Sequence, residues 1–447
     1  MKNNKVLQGK CIDYTFDGQG IVKINNRTIF VPSLLKDEEA EIEIIYHKKD
    51  FDVGKIKKII NFSPYRINPK CKASTSCGGC VFQNLNYQEQ IRLKKELVNN
   101  NLKNIAKINN KVDNFIAMDD PYYFRNKIQV PFQYDKQHRL VYGFYKSKTH
   151  DVVYNPDCVI EDKIANKILA DLRNLFISFN IEPYNEDTRK GFIRHVLIKT
   201  SYYYDEVMVV LITNEIEFKN KNNFIKELIK LNPSIVTIIQ NVNKRDTNVI
   251  LGEKEIILYG KGYIKDKLLN TDFLISSKSF YQTNPIQTEK LYSLAIKKAN
   301  LNKNDVVLDC YCGIGTISLI VSKYVKEVTG VEIVKYAIKD ANNNKKLNNI
   351  KNVNFICMDA KDYIVNNKFD VIFVDPPRKG LEKELINRIL KLNIKKIIYI
   401  SCDPGTLSRD LNLLKDKYRI DTIDCVDMFP FSFHIETVCS LSLKKCS

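Results

Sequence analysis

The sequence predicts an α/β protein in which a C-terminal, doubly wound, mostly parallel sheet follows an N-terminal β-barrel and a central α+β domain. Three observations predict it. From about Thr271 onward, apolar β-rich runs alternate with helical segments. Residues 1 to about 60 are short apolar stretches separated by turn signals, and the region between mixes strands and helices without either regularity. At 447 residues the chain is long enough for more than one core, and the expected domains are 1–60, 61–270 and 271–447.

In the first segment, KVLQGKCIDYT, a turn at Asp17, Gly18 and Gly20, then GIVKI, RTIFVP, AEIEIIY and FDVGKIKKII have the spacing of a small, OB-like antiparallel barrel. Lys23, Arg27, Lys48, Lys49, Lys55, Lys57 and Lys58 on these strands form either a basic face for an oligonucleotide or an ordinarily solvated one. Seventy Lys plus Arg against 52 Asp plus Glu give the chain a net charge of +18. Such an excess attracts polyanions, which makes nucleic acid the leading partner and a generally basic proteome the alternative. No apolar run approaches the roughly 18 residues of a membrane span. MKNNKVLQGK lacks the apolar stretch and cleavage site of a secretory signal, so the expected location is the cytoplasm, away from membranes.

The central region opens with a turn-rich stretch, Pro64 to Cys80, and a helical segment from Tyr87 to about Lys107. It continues through strands such as HVLIKT and VMVVLIT and helices such as KIANKILADLRNLF and NNFIKELIKL. Twelve cysteines in an unexported chain point to metal ligation or catalysis and away from disulfides. Cys71, Cys77 and Cys80 are spaced C-x5-C-x2-C, with Gly78-Gly79 allowing a tight wrap. Cys158, the next cysteine in the chain and preceded by turn residues, is the candidate fourth ligand. Four thiolates suit an iron–sulfur cluster or zinc, and spacing leaves both open, together with a site that binds no metal.

In the C-terminal region the strands are DVVLDCY, EVTGVEI, NVNFICMDA, FDVIFVDPP, KKIIYISCDP, IDTIDCVDMF and HIETVCSLSL. The first runs into Tyr311-Cys312-Gly313-Ile314-Gly315, where glycines allow close approach of a ligand. Ser318 replaces the third glycine of the dinucleotide pattern, and Glu332, nineteen positions after Gly313, can accept from both hydroxyls of a ribose; together they predict an adenosyl cofactor. Asp359, ending the third strand, is placed to contact the adenine amino group. Asp375 ends the fourth strand and Cys402 follows the fifth, so in the usual doubly wound order both line one crevice with the glycine loop. C5 of uracil takes a methyl group only after a nucleophile adds at C6, and a thiolate can both add and leave. Glu436 is the candidate base for the C5 proton, and strand alternation places His434 and Glu436 on one face. Taken singly, Cys402 reads as a core thiol, and Glu332 and Glu436 as solvated carboxylates; the combination argues for chemistry.

Phe280-Tyr281-Gln282-Thr283-Asn284, Asp309 to Gly315, Asp375-Pro376-Pro377-Arg378, Ser401-Cys402-Asp403-Pro404 and His434-Ile435-Glu436-Thr437 resemble, in order and spacing, the bacterial RNA uracil-5-methyltransferase family. The resemblance covers essentially the whole chain. Phe124-Arg125-Asn126-Lys127 and Arg194-His195-Val196 are similar to its central-domain motifs, and the barrel looks like its TRAM domain. It implies a Rossmann-like domain that uses S-adenosylmethionine, with Gln282, Tyr311, Glu332 and Asp375 contacting the methyl donor or the uracil. It further implies Phe280 near the flipped base, Cys402 as nucleophile, Glu436 as base and a [4Fe–4S] cluster on Cys71, Cys77, Cys80 and Cys158. The family more often has Asn where this chain has Asp403. The implied substrate is RNA and not DNA: a uridine of 23S ribosomal RNA, with the T-loop uridine of transfer RNA as runner-up, methylated to 5-methyluridine by a monomer. A non-catalytic RNA-binding or ribosome-assembly factor is the rival from another class.

Overall fold

Val306–Cys310, Val371–Val374 and Lys396–Ser401 are almost wholly buried along their length, as strands covered on both faces must be. In the computed structural model, which describes residues 5–15, 17–147 and 149–445, they lie at the centre of an eight-stranded sheet. Its order is Val353–Cys357, Glu327–Glu332, Val306–Cys310, Val371–Val374, Lys396–Ser401, Glu436–Leu443, Tyr418–Val426 and Asn114–Ile116. All pairings are parallel except the two made by Glu436–Leu443. The strand after Val306–Cys310 packs on one side of it and the fourth on the other, so a crevice opens at their C-terminal ends. Because Glu436–Leu443 runs the other way, its first residue lies at that same edge.

The helix Tyr87–Asn101 and its π extension Leu102–Ala106 precede the central sheet in sequence but pack on the C-terminal one. Val98, Leu102 and Ala106 share a core with Leu308, Ile372, Leu407 and Leu411. The short strand Asn114–Ile116 completes the sheet's edge against Asp424–Val426. A buried ion pair locks this arrangement: Lys94 Nζ lies 2.6 Å from Asp427 Oδ1 and donates to the Phe429 carbonyl at 3.0 Å, while the Tyr87 hydroxyl donates to Asp427 Oδ2 at 2.8 Å. Removing one partner strands a buried charge, so Lys94→Met should destabilise the protein by about 3–5 kcal/mol, read as a lower denaturation midpoint. The double variant Lys94→Met/Asp427→Leu should recover much of the loss.

The central sheet has six strands in the order Lys254–Gly260, Ile235–Val242, Val207–Thr213, Ile193–Thr200, Lys127–Tyr134 and Leu140–Tyr142. Helices Lys163–Ser178 and Lys221–Leu231 cover one face through Ile168, Leu172, Phe176, Phe224 and Leu228. Tyr263–Leu268 and Thr271–Ser276 form a hairpin whose two-residue turn, Leu269 and Asn270, has positive φ of 46° and 57°. The expected boundary at 270 falls inside that turn.

The N-terminal strands Val6–Tyr14, Gly20–Ile24, Arg27–Val31, Glu39–His47 and Phe51–Asn61 close into a barrel around Cys11, Val22, Ile29, Ala40 and Ile42. Of its expected basic residues, Arg27 is held by Asp52 at 2.7 Å and Lys55 by Glu43 at 2.9 Å, while Lys23, Lys57 and Lys58 stay exposed. Tyr14, Phe82 and Phe433 join the barrel to the turn that leads into Glu436–Leu443. Among the described residues, no helix is long and apolar enough to cross a membrane.

Candidate active site

The loop after Val306–Cys310 turns through left-handed backbone at Tyr311, Gly313 and Gly315, with φ of 64°, 55° and 84°. Gly315 must lack a side chain, because a Cβ there would stand 2.5 Å from the Phe355 ring. At Gly313 a Cβ would meet nothing within 4 Å, which leaves an open cradle beside the backbone. Glu332, ending the neighbouring strand, accepts the Gly313 N–H at 3.3 Å and the Val334 N–H at 2.9 Å. Each of its oxygens retains lone-pair capacity for a ligand hydroxyl. Asp359 caps the short helix Ala360–Tyr363 by accepting the Lys361 N–H at 3.1 Å, and its carboxylate lies 3.4 Å from Lys361 Nζ. Gln282 is buried and, with Thr316 at the start of the loop helix, lies next to the Tyr292 hydroxyl. An open glycine cradle, a strand-end carboxylate with spare acceptor capacity and Asp359 beyond the next strand fit an adenosyl group.

Asp375 ends the fourth strand, Cys402 follows the fifth, and pairing of Ser401 with Thr437 sets Glu436 beside them. Cys402 and Glu436 both feel the Asp375 carboxylate. Burial, then Glu436 and Asp375, push the Cys402 thiol up to about 11, and Arg378 opposes the rise. Glu436, only 4% exposed, is raised well above the usual carboxylate range by burial and then by Asp375, again opposed by Arg378. Burial alone pushes Asp375 up to about 7. The crevice therefore disfavours simultaneous ionisation of all three. Arg378 had no role in the sequence reading, although its motif was visible there.

One expectation changes. His434 and Glu436 do not alternate along one strand, because the strand begins at Glu436. A turn through Phe431, with φ of 63°, leaves His434 exposed and facing the Arg378 guanidinium at 3.1 Å. Asp403 proves to be a helix cap: Oδ1 accepts the Thr406 N–H at 2.8 Å, a task Asn and Asp perform equally well. Phe280 is 66% exposed beside the buried Tyr281 and Gln282.

Cys71, Cys77, Cys80 and Cys158 line a single small cavity. Three of the sulfurs face N–H donors: Asn155 Nδ2 at 3.7 Å from Cys71, the Gly79 N–H at 3.4 Å from Cys77 and Gln83 Nε2 at 3.6 Å from Cys80. Burial raises the thiols of Cys77, Cys80 and Cys158. Among the described residues, no three His, Cys, Asp or Glu side chains are grouped to hold one metal ion. The loop is tied to its surroundings on two sides. The Val81 and Phe82 N–H groups donate to the Phe431 carbonyl at 2.8 and 3.1 Å, and the Gly78 N–H donates to the Tyr145 carbonyl at 3.0 Å.

Known proteins resemble the chain over most of its length. Residues 86–445 match the family described as tRNA (uracil-5-)-methyltransferase. An uncharacterised RNA methyltransferase of Staphylococcus aureus (strain MSSA476) is 40% identical over 447 residues, 99% of each chain. Another, of Staphylococcus epidermidis (strain ATCC 12228), is 41% identical over 444 residues, 98% of this chain and 97% of that one. The crystal structure of Pyrococcus abyssi tRNA (uracil-54, C5)-methyltransferase in complex with S-adenosyl-L-homocysteine superposes with a TM-score of 0.80 at 27% identity, covering 97% of this chain and 99% of that one. With a family match over most of its length, relatives aligned end to end and an α/β fold shared with an enzyme that holds the spent methyl donor, the chain belongs to the RNA (uracil-5-)-methyltransferase family and is an S-adenosylmethionine-dependent enzyme.

Proposed function

We propose that the protein methylates C5 of one uridine in 23S ribosomal RNA through a covalent adduct on Cys402. The observation that carries the chemistry is the meeting of Cys402, Glu436 and Asp375 in one crevice, each with its acidity shifted by burial or by the others. Cys402 Sγ adds to C6 of the flipped uracil, and the electron pair passes to C5. C5 takes the methyl group, Glu436 accepts the C5 proton, and elimination of Cys402 restores the ring. Bound S-adenosylmethionine supplies an electrophilic methyl group. Gly313, Glu332, Asp359, Tyr311 and Gln282 hold it, and Asp375 faces donor or uracil at the end of the fourth strand. Every group in this scheme comes from one chain, so a monomer suffices.

If Glu332 holds the ribose, Glu332→Ala should weaken donor binding about 10- to 100-fold by calorimetry, since a hydrogen bond to a charged group is worth roughly 1.5–3 kcal/mol. RNA binding should stay unchanged.

The barrel acts as a TRAM-like RNA-binding domain, a role supported by its closure and its exposed Lys23, Lys57 and Lys58. The cysteine cavity holds a [4Fe–4S] cluster. Four thiols lining one cavity supply the four thiolate ligands such a cluster takes, and the family resemblance favours it over zinc. Its role is structural, since the loop's bonds to Phe431 and Tyr145 tie the turn before Glu436 to the segment that follows Leu140–Tyr142. Anaerobically purified protein should contain iron and acid-labile sulfide in equal amounts, and Cys80→Ser should lose both and lower the melting temperature. Full metal content in that variant would refute the assignment.

The family resemblance supports the ribosomal target, whereas the name of the Pyrococcus abyssi enzyme favours transfer RNA as a second reading. Labelled donor incubated with total RNA lacking 5-methyluridine separates them. Label in 5-methyluridine at a 23S position is expected. Label in transfer RNA would replace the target, and RNA binding without label would overturn the enzymatic reading.

A further inference from the structure

We infer that a cavity on the central sheet, distinct from the Cys402 crevice, binds an unpaired guanine of the RNA substrate, an inference that rests on the RNA methyltransferase reading above. Strands Lys127–Tyr134 and Ile193–Thr200 lie side by side there, with Pro131 opposite His195. Alternation along the second strand puts His195, Leu197 and Lys199 on one face. Lys199 Nζ donates to the carbonyls of Ser276 and Ser279 at 2.7 and 2.9 Å, immediately before the exposed Phe280. Lys199, four residues along the same strand from His195 and so roughly 13 Å from it at about 3.3 Å per residue, thus ties the strand that lines the cavity to the Phe280 loop.

The cavity has a volume of about 260 Å³ and is lined by Tyr145 and His150, by Tyr184, Glu186 and Asp187, and by His195. Its walls are set before any ligand arrives. The Arg194 guanidinium lies 4.5 Å from the Tyr184 ring centre, and its Nη1 donates to the carbonyls of Asn243 and Arg245, both at 2.8 Å. The Tyr145 and His150 rings stack with centroids 5.5 Å apart, and His150 Nδ1 meets Glu186 at 3.0 Å, linking the two sides. His195 is 9% exposed, yet its Nδ1 has no hydrogen-bond partner in the protein. Burial pushes this imidazole down to about 4, so the ring is neutral at physiological pH.

The lining selects the ligand by its chemistry. Tyrosine faces take a planar ring by stacking. Glu186 and Asp187 repel phosphate but accept from N–H groups. Guanine presents N1–H and a 2-amino group side by side, a two-donor edge that matches one carboxylate, whereas uracil has no amino group. A guanine read here, outside the crevice that holds the reacting uracil, lets the enzyme choose one uridine among many.

The test is ultraviolet cross-linking of the full chain to in vitro transcribed, unmodified 23S ribosomal RNA, with mass spectrometry of the linked peptides. Guanosine linked to the peptide carrying Tyr145 or Tyr184 is expected. Tyr184→Leu, at a half-exposed position that should leave the melting temperature unchanged, should raise KM for RNA about tenfold with kcat within twofold. Inosine at the cross-linked position, lacking the 2-amino group, should raise KM on the unaltered protein. Absence of cross-links on both peptides, or an unchanged KM in Tyr184→Leu, overturns the inference. Cross-linking needs only binding, so failure of methyl transfer would count against the reading of the Cys402 crevice and leave this result separately readable.

Discussion

Cys402→Ala should lower the rate of methyl transfer by about 10⁴-fold or more while RNA and donor bind within a few-fold of normal. Without addition at C6, uracil C5 has no electron density to offer, so tight binding cannot compensate. The variant is informative because Cys402 is half-buried at a strand end, where losing a sulfur leaves no core cavity. Single-turnover transfer of labelled methyl measures the loss, and a gel-shift assay measures retained binding. Full turnover by Cys402→Ala would rule out the covalent route. In the resting site the thiol is pushed up to about 11, so thiolate is scarce at neutral pH. The sign follows: the reactive form is gained as pH rises, and alkylation of Cys402 by iodoacetamide should quicken about tenfold per unit between pH 7 and 9.

The central part of the C-terminal sheet was legible because each strand is a short buried run ending in a marked residue: Cys310 before the glycine loop, Glu332, Asp375 and Cys402. Doubly wound order then followed from a general rule, and the pairing of Val307–Cys310 with Val371–Val374 bears it out. What was not legible depends on contacts far apart in sequence. Asn114–Ile116 is three residues long and carries little periodicity; only pairing with Asp424–Val426 makes it a strand. Lys94 reads as a solvated helix lysine until Asp427 arrives from the other end of the chain. The hairpin across 270 was hidden because the change of pattern at Thr271 coincides with a tight turn. At the site, motif spacing located the acids but not Arg378, whose effect arises only where two separate loops meet. His434 was misplaced because alternation was extended past the strand's true start.

Glu436→Gln should separate the two halves of the reaction. The variant keeps the shape and hydrogen-bonding reach of the side chain but cannot accept the C5 proton. Methyl transfer should still occur once per chain, and the methylated RNA should then remain attached through Cys402, visible as a complex that survives a denaturing gel. Turnover should fall about 10²- to 10⁴-fold, the usual contribution of a positioned base. The carboxylate suits this task because its strand runs against its neighbours, which delivers Glu436 to the ligand-binding edge while keeping it 4% exposed. Such burial raises its proton affinity, and Arg378 limits the rise. The same substitution removes one of the charges that hold the Cys402 proton in place. The pH dependence of Cys402 alkylation should therefore move to lower pH in Glu436→Gln, even as turnover collapses. Normal turnover without a trapped complex would show that another group takes the proton. A trapped complex with an unmoved alkylation profile would show that the two side chains, although neighbours, titrate independently.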